Sequence, residues 1–435
     1  MVPNDYRTTR RTVLRRGVGA VAASVAAATA GCTSALPPLG SAQRFGRIDV
    51  PDADPPRYRE WLPAPGAVDA LDDAHYGYLF RRPGSLDYPA PVRFTTPRKR
   101  LLTDLDHFGI GYANYDRLLA TDLGTAIEAA FDPAAVAETL TNSGYAPAGS
   151  HGGFDLFVRE DMPRRAAVGD GAIVWSSRRV HAAPAVEALI DAHGGRIDRY
   201  HEVDAGVERV TDAIGESRMV EYLPPSDARD WKKCEGFRFD GRTAYHVMTF
   251  LFADAVTDPE RRIRERSYGD TVLTREVEHS DLRVDDRLVT VEGKVPPGKG
   301  IAPDEISPPY PPQITWGYDR RTDPRALVLR HEAGDPVPAD TLRLRFETDE
   351  PDPLYSLPTS RPLSTDTDRL APGDTATLDL QEWPMVSVIH PDDIDWDAED
   401  HYAAAEPRPA TRVRLTYAPE SGYRPLFAVP LEGPS

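Results

Sequence analysis

Gly236-Phe-Arg-Phe239, Asp240-Gly241 and Ala244-Tyr-His-Val-Met-Thr-Phe-Leu-Phe252 read as two strands joined by a tight turn. Asp258-Pro259 then opens a short helix running to about Arg266, because Asp caps a helix and Pro is tolerated at its first position. Strands are expected again over Leu273 to Val284 and Leu288 to Val295, across the turn Asp285-Asp286. Antiparallel strands combined with a helix in this way place the stretch in the α+β class.

The same order stands earlier in the chain. Asp132-Pro133 opens a helix with Val136 and Leu140 four apart, and Gly144 ends it. Phe154 to Val158 is expected as a strand, and Ala166 to Trp175 as a hairpin about Gly169-Asp-Gly171. Helices are expected from Ala182 to His193, closed by Gly194-Gly195, and over Val203 to Ile214. Phe108 to Tyr115 alternates bulky and small residues as a strand would. Aligned at Asp-Pro and at the later turn, residues of about 105–176 and 236–295 suggest an internal duplication, similar in style to ferredoxin-like folds. The alternative is that two α+β stretches coincide at one Asp-Pro and one turn.

Pro296 to Pro312 holds seven prolines with Gly298 and Gly300, a composition that marks a linker. Beyond it the pattern turns all-β. Strands are expected at Ile314–Tyr318, Ala326–Arg330, Leu342–Phe346, Thr375–Leu380, Met385–Ile389, Thr411–Tyr417 and Leu426–Leu431. Short strands separated by Pro, Gly and Asp turns predict a β-sandwich of immunoglobulin type over residues 313–435. Leu327-Val-Leu-Arg-His331-Glu-Ala-Gly334-Asp335-Pro-Val-Pro-Ala339-Asp340-Thr-Leu342, followed by Leu370-Ala-Pro-Gly373-Asp374, resembles the sandwich domain of archaeal type IV pilins and archaellins. That resemblance implies a fold and no activity. A pilin's apolar assembly helix is missing directly before this stretch, so polymerisation is not implied.

At the other end stand Arg10 and Arg11, a small and weakly apolar run from Gly17 to Ala30, and Gly31-Cys32. A paired arginine before such a run is the layout of a twin-arginine export signal. The run is about 14 residues, too short for a bilayer that needs roughly 20. The stretch resembles the signals of twin-arginine lipoproteins of halophilic archaea, with Val13 where Phe is frequent and Thr29 where Leu is usual. The resemblance implies that residues 1–31 are a signal peptide cleaved before a lipidated Cys32. Residues 32–57, rich in Pro, Ala, Ser and Asp, then read as a flexible tether to an α+β region at 58–296.

Charge narrows the function. The chain has a formal net charge of −18, and removing a signal of net +4 leaves about −22. Such a surface repels nucleic acid and anionic headgroups. Lysine is nearly absent beyond the signal (Lys99, Lys232, Lys233, Lys294, Lys299), and an acid-rich, lysine-poor composition resembles proteins of halophilic archaea. Cys234 has no internal disulfide partner and reads as an incidental small residue at a strand start. Cys234, His246 and Met248 lack the spacing of a blue-copper site. Asp393, Asp395 and Asp397 present alternate oxygens that could hold calcium, but Ala398 and Ala404 stand where an EF-hand needs Gly and Glu. The reading taken is a solvated acidic loop, with no metal site and no cofactor. With no catalytic motif in view, the expectation is a lipid-anchored cell-surface module that acts by binding, its partners being the membrane through the anchor and a surface protein or small ligand. The alternatives are a solute-binding lipoprotein of a transport system and an exported enzyme.

Overall fold

The hairpin about Asp240-Gly241 forms, and its strands are longer than the apolar run implies: Trp231–Asp240 pairs antiparallel with Thr243–Phe252. Gly241 turns the chain at φ +54°, a left-handed conformation that suits glycine. Alternation splits the hairpin between two faces. Cys234, Val247 and Leu251 enter one core, while Phe237, Met248 and Phe250 line the opposite face.

This computed structural model describes residues 48–68, 75–84, 88–178, 181–226, 230–254, 257–258, 261–263, 277–302, 305–306, 309–348, 355–357, 359–394, 402–419 and 424–431. Among them the hairpin belongs to a twelve-stranded sheet. Its strands are β1 (Tyr78–Arg81), β2 (Arg117–Thr121), β3 (Thr125–Glu128), β4 (Ala146–His151), β5 (Phe154–Val158), β6 (Arg165–Gly169) and β7 (Ala172–Ser176). They continue with β8 (Met219–Leu223), β9 (Trp231–Asp240), β10 (Thr243–Phe252), β11 (His279–Asp285) and β12 (Leu288–Val295). The order across the sheet is β11-β12-β10-β9-β8-β1-β2-β3-β7-β6-β5-β4.

That order repeats outward from the central β1–β8 pair. The run β1-β2-β3-β7-β6 on one side matches β8-β9-β10-β12-β11 on the other. In each run a hairpin is followed by helical residues and by a later hairpin, β6–β7 or β11–β12, whose last strand returns to pair with the first hairpin; on the β1 side the β4–β5 hairpin comes between. Every pairing described is antiparallel, whereas the split βαβ of a ferredoxin-like unit holds a parallel pair. The repeated order therefore departs from the ferredoxin-like style. Hairpin turns make antiparallel neighbours of consecutive strands; a parallel pair needs a long crossover.

Among the described residues four helices of ten residues or more cover the sheet, α1 (Val92–Asp104), α2 (Pro133–Asn142), α3 (Ala182–His193) and α4 (Ala205–Ile214), and a single helical turn, Tyr200–Val203, precedes α4. On α2 the Asp132 carboxylate accepts from the Ala134 amide at 3.0 Å, a cap worth about 1 kcal/mol, and Val136 and Leu140 are buried. On one face α3 and α4 pack Val186, Leu189, Ile190, Val207 and Val210 against β1, β8, β9 and their neighbours. On the other, α1 and α2 supply Leu101, Leu102, Val136 and Leu140 to a second core.

One local expectation changes, one helix is added and one expectation falls largely outside the described residues. Phe108 to Tyr115 is no strand: Gly109 has φ +79° and Tyr112–Asn114 form a 3-10 turn. Phe108, Tyr112 and Tyr115 are spaced three and four apart, and the turn brings all three rings into one core. Helix α1 was not expected, since Pro97 lies inside it. After Asp258 only Arg261–Ile263 are described as helical, with the Arg262 amide donating to Asp258 O at 3.1 Å; the rest of that helix and the start of the Leu273 strand fall outside the described residues.

Downstream, all seven expected strands form, within small antiparallel sheets. One holds Ile314–Thr322, Arg325–Gly334 and Thr375–Asp379; another runs Thr359–Pro362, Leu342–Glu347, Arg412–Tyr417, Arg424–Pro430. A third joins Tyr355–Leu357, Met385–Ile389 and Glu406–Pro409. Trp316, Leu327 and Leu329 share a core with Leu344, Phe346, Val386, Val413 and Leu415, contributed by different sheets. The two turn motifs meet: the His331 amide donates to Asp374 O at 3.0 Å, and the Gly373 amide to His331 O at 2.8 Å. Gly334, at φ +110°, lies so close to Gln313 that a Cβ there would stand 2.2 Å from its carbonyl oxygen.

The proline-rich stretch makes more contacts than a free linker. Ile301 bridges to Ala90, and Arg98 lies 4.6 Å from the centre of the Tyr310 ring. Phe45–Ser435 form one compact unit, β-rich with a few helices. Among the described residues no helix is long and apolar enough to cross a membrane.

Candidate binding groove

Three recesses meet around the end of β7 and the loop before β6. The first, about 500 Å³, lies at the ends of β1, β2, β3, β7 and β8 beneath α1. The second, about 630 Å³, separates α1 and Met162–Arg164 from Tyr318 and Phe427 of the C-terminal sheets. The third, about 310 Å³, lies beside the start of α3. Asp104, Trp175 and Ser177 line the first and second, Pro163 and Arg164 the second and third, and Arg178 the first and third. The three recesses therefore adjoin one another and make up the candidate groove.

Buried polar networks hold its walls. The Tyr145 hydroxyl donates to the Asp106 carboxylate and accepts from Trp175 Nε1 at 3.0 Å. Arg164 donates to the same carboxylate and lies 5.4 Å from the centre of the Phe427 ring. Gln313 Nε2 closes the set, donating to Asp106 O at 2.8 Å and to the Tyr115 hydroxyl at 3.2 Å. Burial pushes the Tyr145 hydroxyl well above its ordinary pKa, so it stays a donor.

A second network spans the groove's far side. Arg159, whose side chain is wholly buried, donates to Asp161, to Ser143 O at 2.9 Å and to Glu332. Burial works to raise Asp161, but the Arg159 guanidinium outweighs it and holds the carboxyl below its usual range. At the base of the first recess the β2–β3 turn is lashed to β7. Ser176 Oγ donates to Leu123 O at 2.8 Å, and the Arg178 guanidinium donates to Asp122 O.

A carboxyl pair stands beside the first recess. Glu221 on β8 lies directly across from Glu235 on β9. Arg93 binds both, at 2.8 Å to Glu221 and through Nε at 2.9 Å to Glu235. Lys233 Nζ lies 2.9 Å and His246 Nε2 3.1 Å from Glu235, and the His246 ring stacks on Phe237 at 4.3 Å. Burial raises both carboxyls. Lys233, His246 and Arg93 outweigh it at Glu235, which is held well below its usual range, while the hydrogen bond with Glu235 leaves Glu221 raised. Environments that push two carboxyls apart can divide acid and base roles, yet the Glu235 side chain is 0% exposed and Glu221 alone reaches the groove.

The residues singled out in the sequence stand elsewhere. Arg10, Arg11, Cys32, Asp395 and Asp397 fall outside the described residues. Asp393 is exposed, in a single turn Pro391–Asp393, with its amide donating to His390 O at 3.0 Å. Among the described residues no three His, Cys, Asp or Glu side chains are grouped to hold a metal. Cys234 lies within β9, not at its start, and fills the α4-side core; burial pushes its thiol well up. His246 points to the other face of the sheet, toward Glu235. The groove's arginines had a signal that was not used. Arg164-Arg165 precede and Arg178 follows the hairpin about Gly169-Asp-Gly171 in sequence, and the pairing of Arg165 with Ser176 brings its ends together.

No family model and no curated protein matches the sequence. Among solved structures, crystal form III of TP0453 covers 57% of this chain and 96% of that chain, at 10% identity and a TM-score of 0.31. Crystal form I of TP0453 covers 55% and 94%, at 11% identity and a TM-score of 0.32. A likeness of that size carries no argument about fold or function.

Proposed function

We propose that this chain is a lipid-anchored cell-surface protein that works by binding, with the groove about Trp175 as its ligand site. The anchor rests on Arg10-Arg11, the weakly apolar run and Cys32. The observation that carries the binding reading is that one concave surface draws its lining from α1, from the β6–β7 hairpin and from the C-terminal strands. Ligand sites gather where separate parts of a chain meet. Two finer readings of the fold go with it: an internal duplication, supported by the matching strand orders about β1 and β8, and an immunoglobulin-type sandwich at 313–435, supported by the core its sheets share.

The test is cellular and chemical. Cys32→Ser is expected to release the protein or leave its precursor unprocessed, and replacing Arg10 and Arg11 with Lys to block export. Mass spectrometry finding an unmodified Cys32 on the mature chain would sink the anchor. An enzyme is the second reading, favoured by Glu221 reaching the groove with a raised pKa. Glu221→Gln separates them: turnover of a captured compound lost with capture intact favours the enzyme.

A further inference from the structure

We propose that the third recess is an anion subsite of the groove, with Arg165 and Arg178 as its recognition groups, taking a carboxylate, sulfate or phosphate of the ligand. The inference rests on the groove being the binding site. The chain carries 69 acidic residues against 51 basic ones, and most described arginines of the N-terminal part face a carboxylate: Arg59 meets Asp212, Arg82 meets Glu216 and Arg117 meets Glu128. The third recess departs from that rule. Arg159, Arg164, Arg165, Arg178 and His181 line it, and among the described residues no carboxylate does.

Two of those cations are already neutralised from outside the recess, Arg159 by Asp161 and Glu332 and Arg164 by Asp106. Among the described residues the Arg178 guanidinium has only the neutral carbonyl of Asp122. The Arg165 side chain has no hydrogen bond or ion pair among the described residues. Its place on β6 is set by pairing with Ser176 on one side and Val158 on the other, and Ala167, two residues on and on the same face, is in the core under α3. A half-buried guanidinium is thereby held at the recess with its donors unused. Two like charges in one concave site repel each other unless an anion stands between them, and the guanidinium fork matches a planar or tetrahedral oxyanion.

The experiment titrates the full chain with orthophosphate, sulfate and acetate separately, by calorimetry at constant ionic strength set with NaCl. At least one anion is expected to bind saturably, which names the group. Arg165→Gln should weaken that binding about tenfold or more, the loss of one charge-assisted contact, and Arg178→Gln should weaken it likewise. Arg165 supports nothing else, so its variant should unfold at the wild-type temperature, which shows that the loss is not misfolding. Binding unchanged in Arg165→Gln, or saturable binding of none of the three anions, overturns the subsite. It leaves the groove reading to be judged separately, by whether Tyr318→Ala abolishes ligand capture.

Discussion

Arg159 and Glu332, 173 residues apart in sequence, form a buried charge pair in which both terminal guanidinium nitrogens donate to the one carboxylate. The pair ties the loop after β5 to the strand Arg325–Gly334, next to the groove. Removing one member of a buried pair strands the other, at about 3–5 kcal/mol. Arg159→Met is expected to lower stability by less than that amount, since Glu332, 8% exposed, keeps Arg330 at 2.9 Å. Arg159→Lys should recover only part, keeping the charge and losing the fork. A denaturant midpoint unmoved in Arg159→Met would show the pair to be inert.

Contacts of this kind bear on whether the C-terminal sheets stand alone. Expressed from Gln313 onward in high salt, they are expected to fold cooperatively, because Trp316, Leu344 and Leu415 close a core of their own. The midpoint should fall below that of the full chain, because Gln313, Thr315 and Glu332 lose Asp106, His107 and Arg159. A fragment that stays unfolded by circular dichroism would place the boundary elsewhere.

The Glu221–Glu235 pair gives opposite pH signatures. Glu235 has a lowered folded pKa. Its contribution is complete above the unfolded value near ~4.3 and is lost as pH falls through the folded one. Glu221 has a raised folded pKa. Its contribution is present below the unfolded value and is lost as pH rises through the folded one, so an ionised Glu221 is unfavourable at neutral pH. Glu221→Gln should therefore stabilise at pH 7 and lose that advantage below about pH 4. Glu235→Gln should destabilise at pH 7, because Lys233 and Arg93 lose the carboxylate they face. Melting curves of both variants from pH 3 to 8 check the signs, and a destabilised Glu221→Gln at pH 7 would reverse the assignment.

Salt tests the charge of the surface. At the chain's formal net charge of −18, carboxylate repulsion opposes the compact state, and at about 1 M salt the Debye length is roughly 3 Å. The melting temperature should climb with KCl or NaCl well beyond physiological strength, with calcium giving nothing extra at equal ionic strength. A calcium-specific rise that Asp395→Ala abolishes would instead make the 392–400 loop a metal site.

Local chemistry was legible in the sequence. Asp132-Pro133, Gly194-Gly195, Asp240-Gly241 and Asp285-Asp286 mark their helix and strand ends because caps and tight turns depend on residues within a few positions of one another. The seven C-terminal strands followed from the same punctuation. Helix α1 escaped it, since Pro97 argues locally against a helix that packing of Leu101 and Leu102 stabilises in the fold. Phe108 to Tyr115 misled because alternation of bulk has period two, while the core that receives Phe108, Tyr112 and Tyr115 asks for a turn.

Only the tertiary structure decided which strands lie side by side. The sheet is centred on β1 and β8, more than a hundred residues apart, and nothing near Tyr78 announces Tyr222 as its partner. The groove is of the same kind. Asp104, Arg164, Trp175 and Phe427 line one recess through pairings and packing at long range, where the free energy comes from shared burial that no short stretch of chain can display. Composition determined that the protein is acidic; the fold decided that Arg165 and Arg178 share a recess with no carboxylate among the described residues.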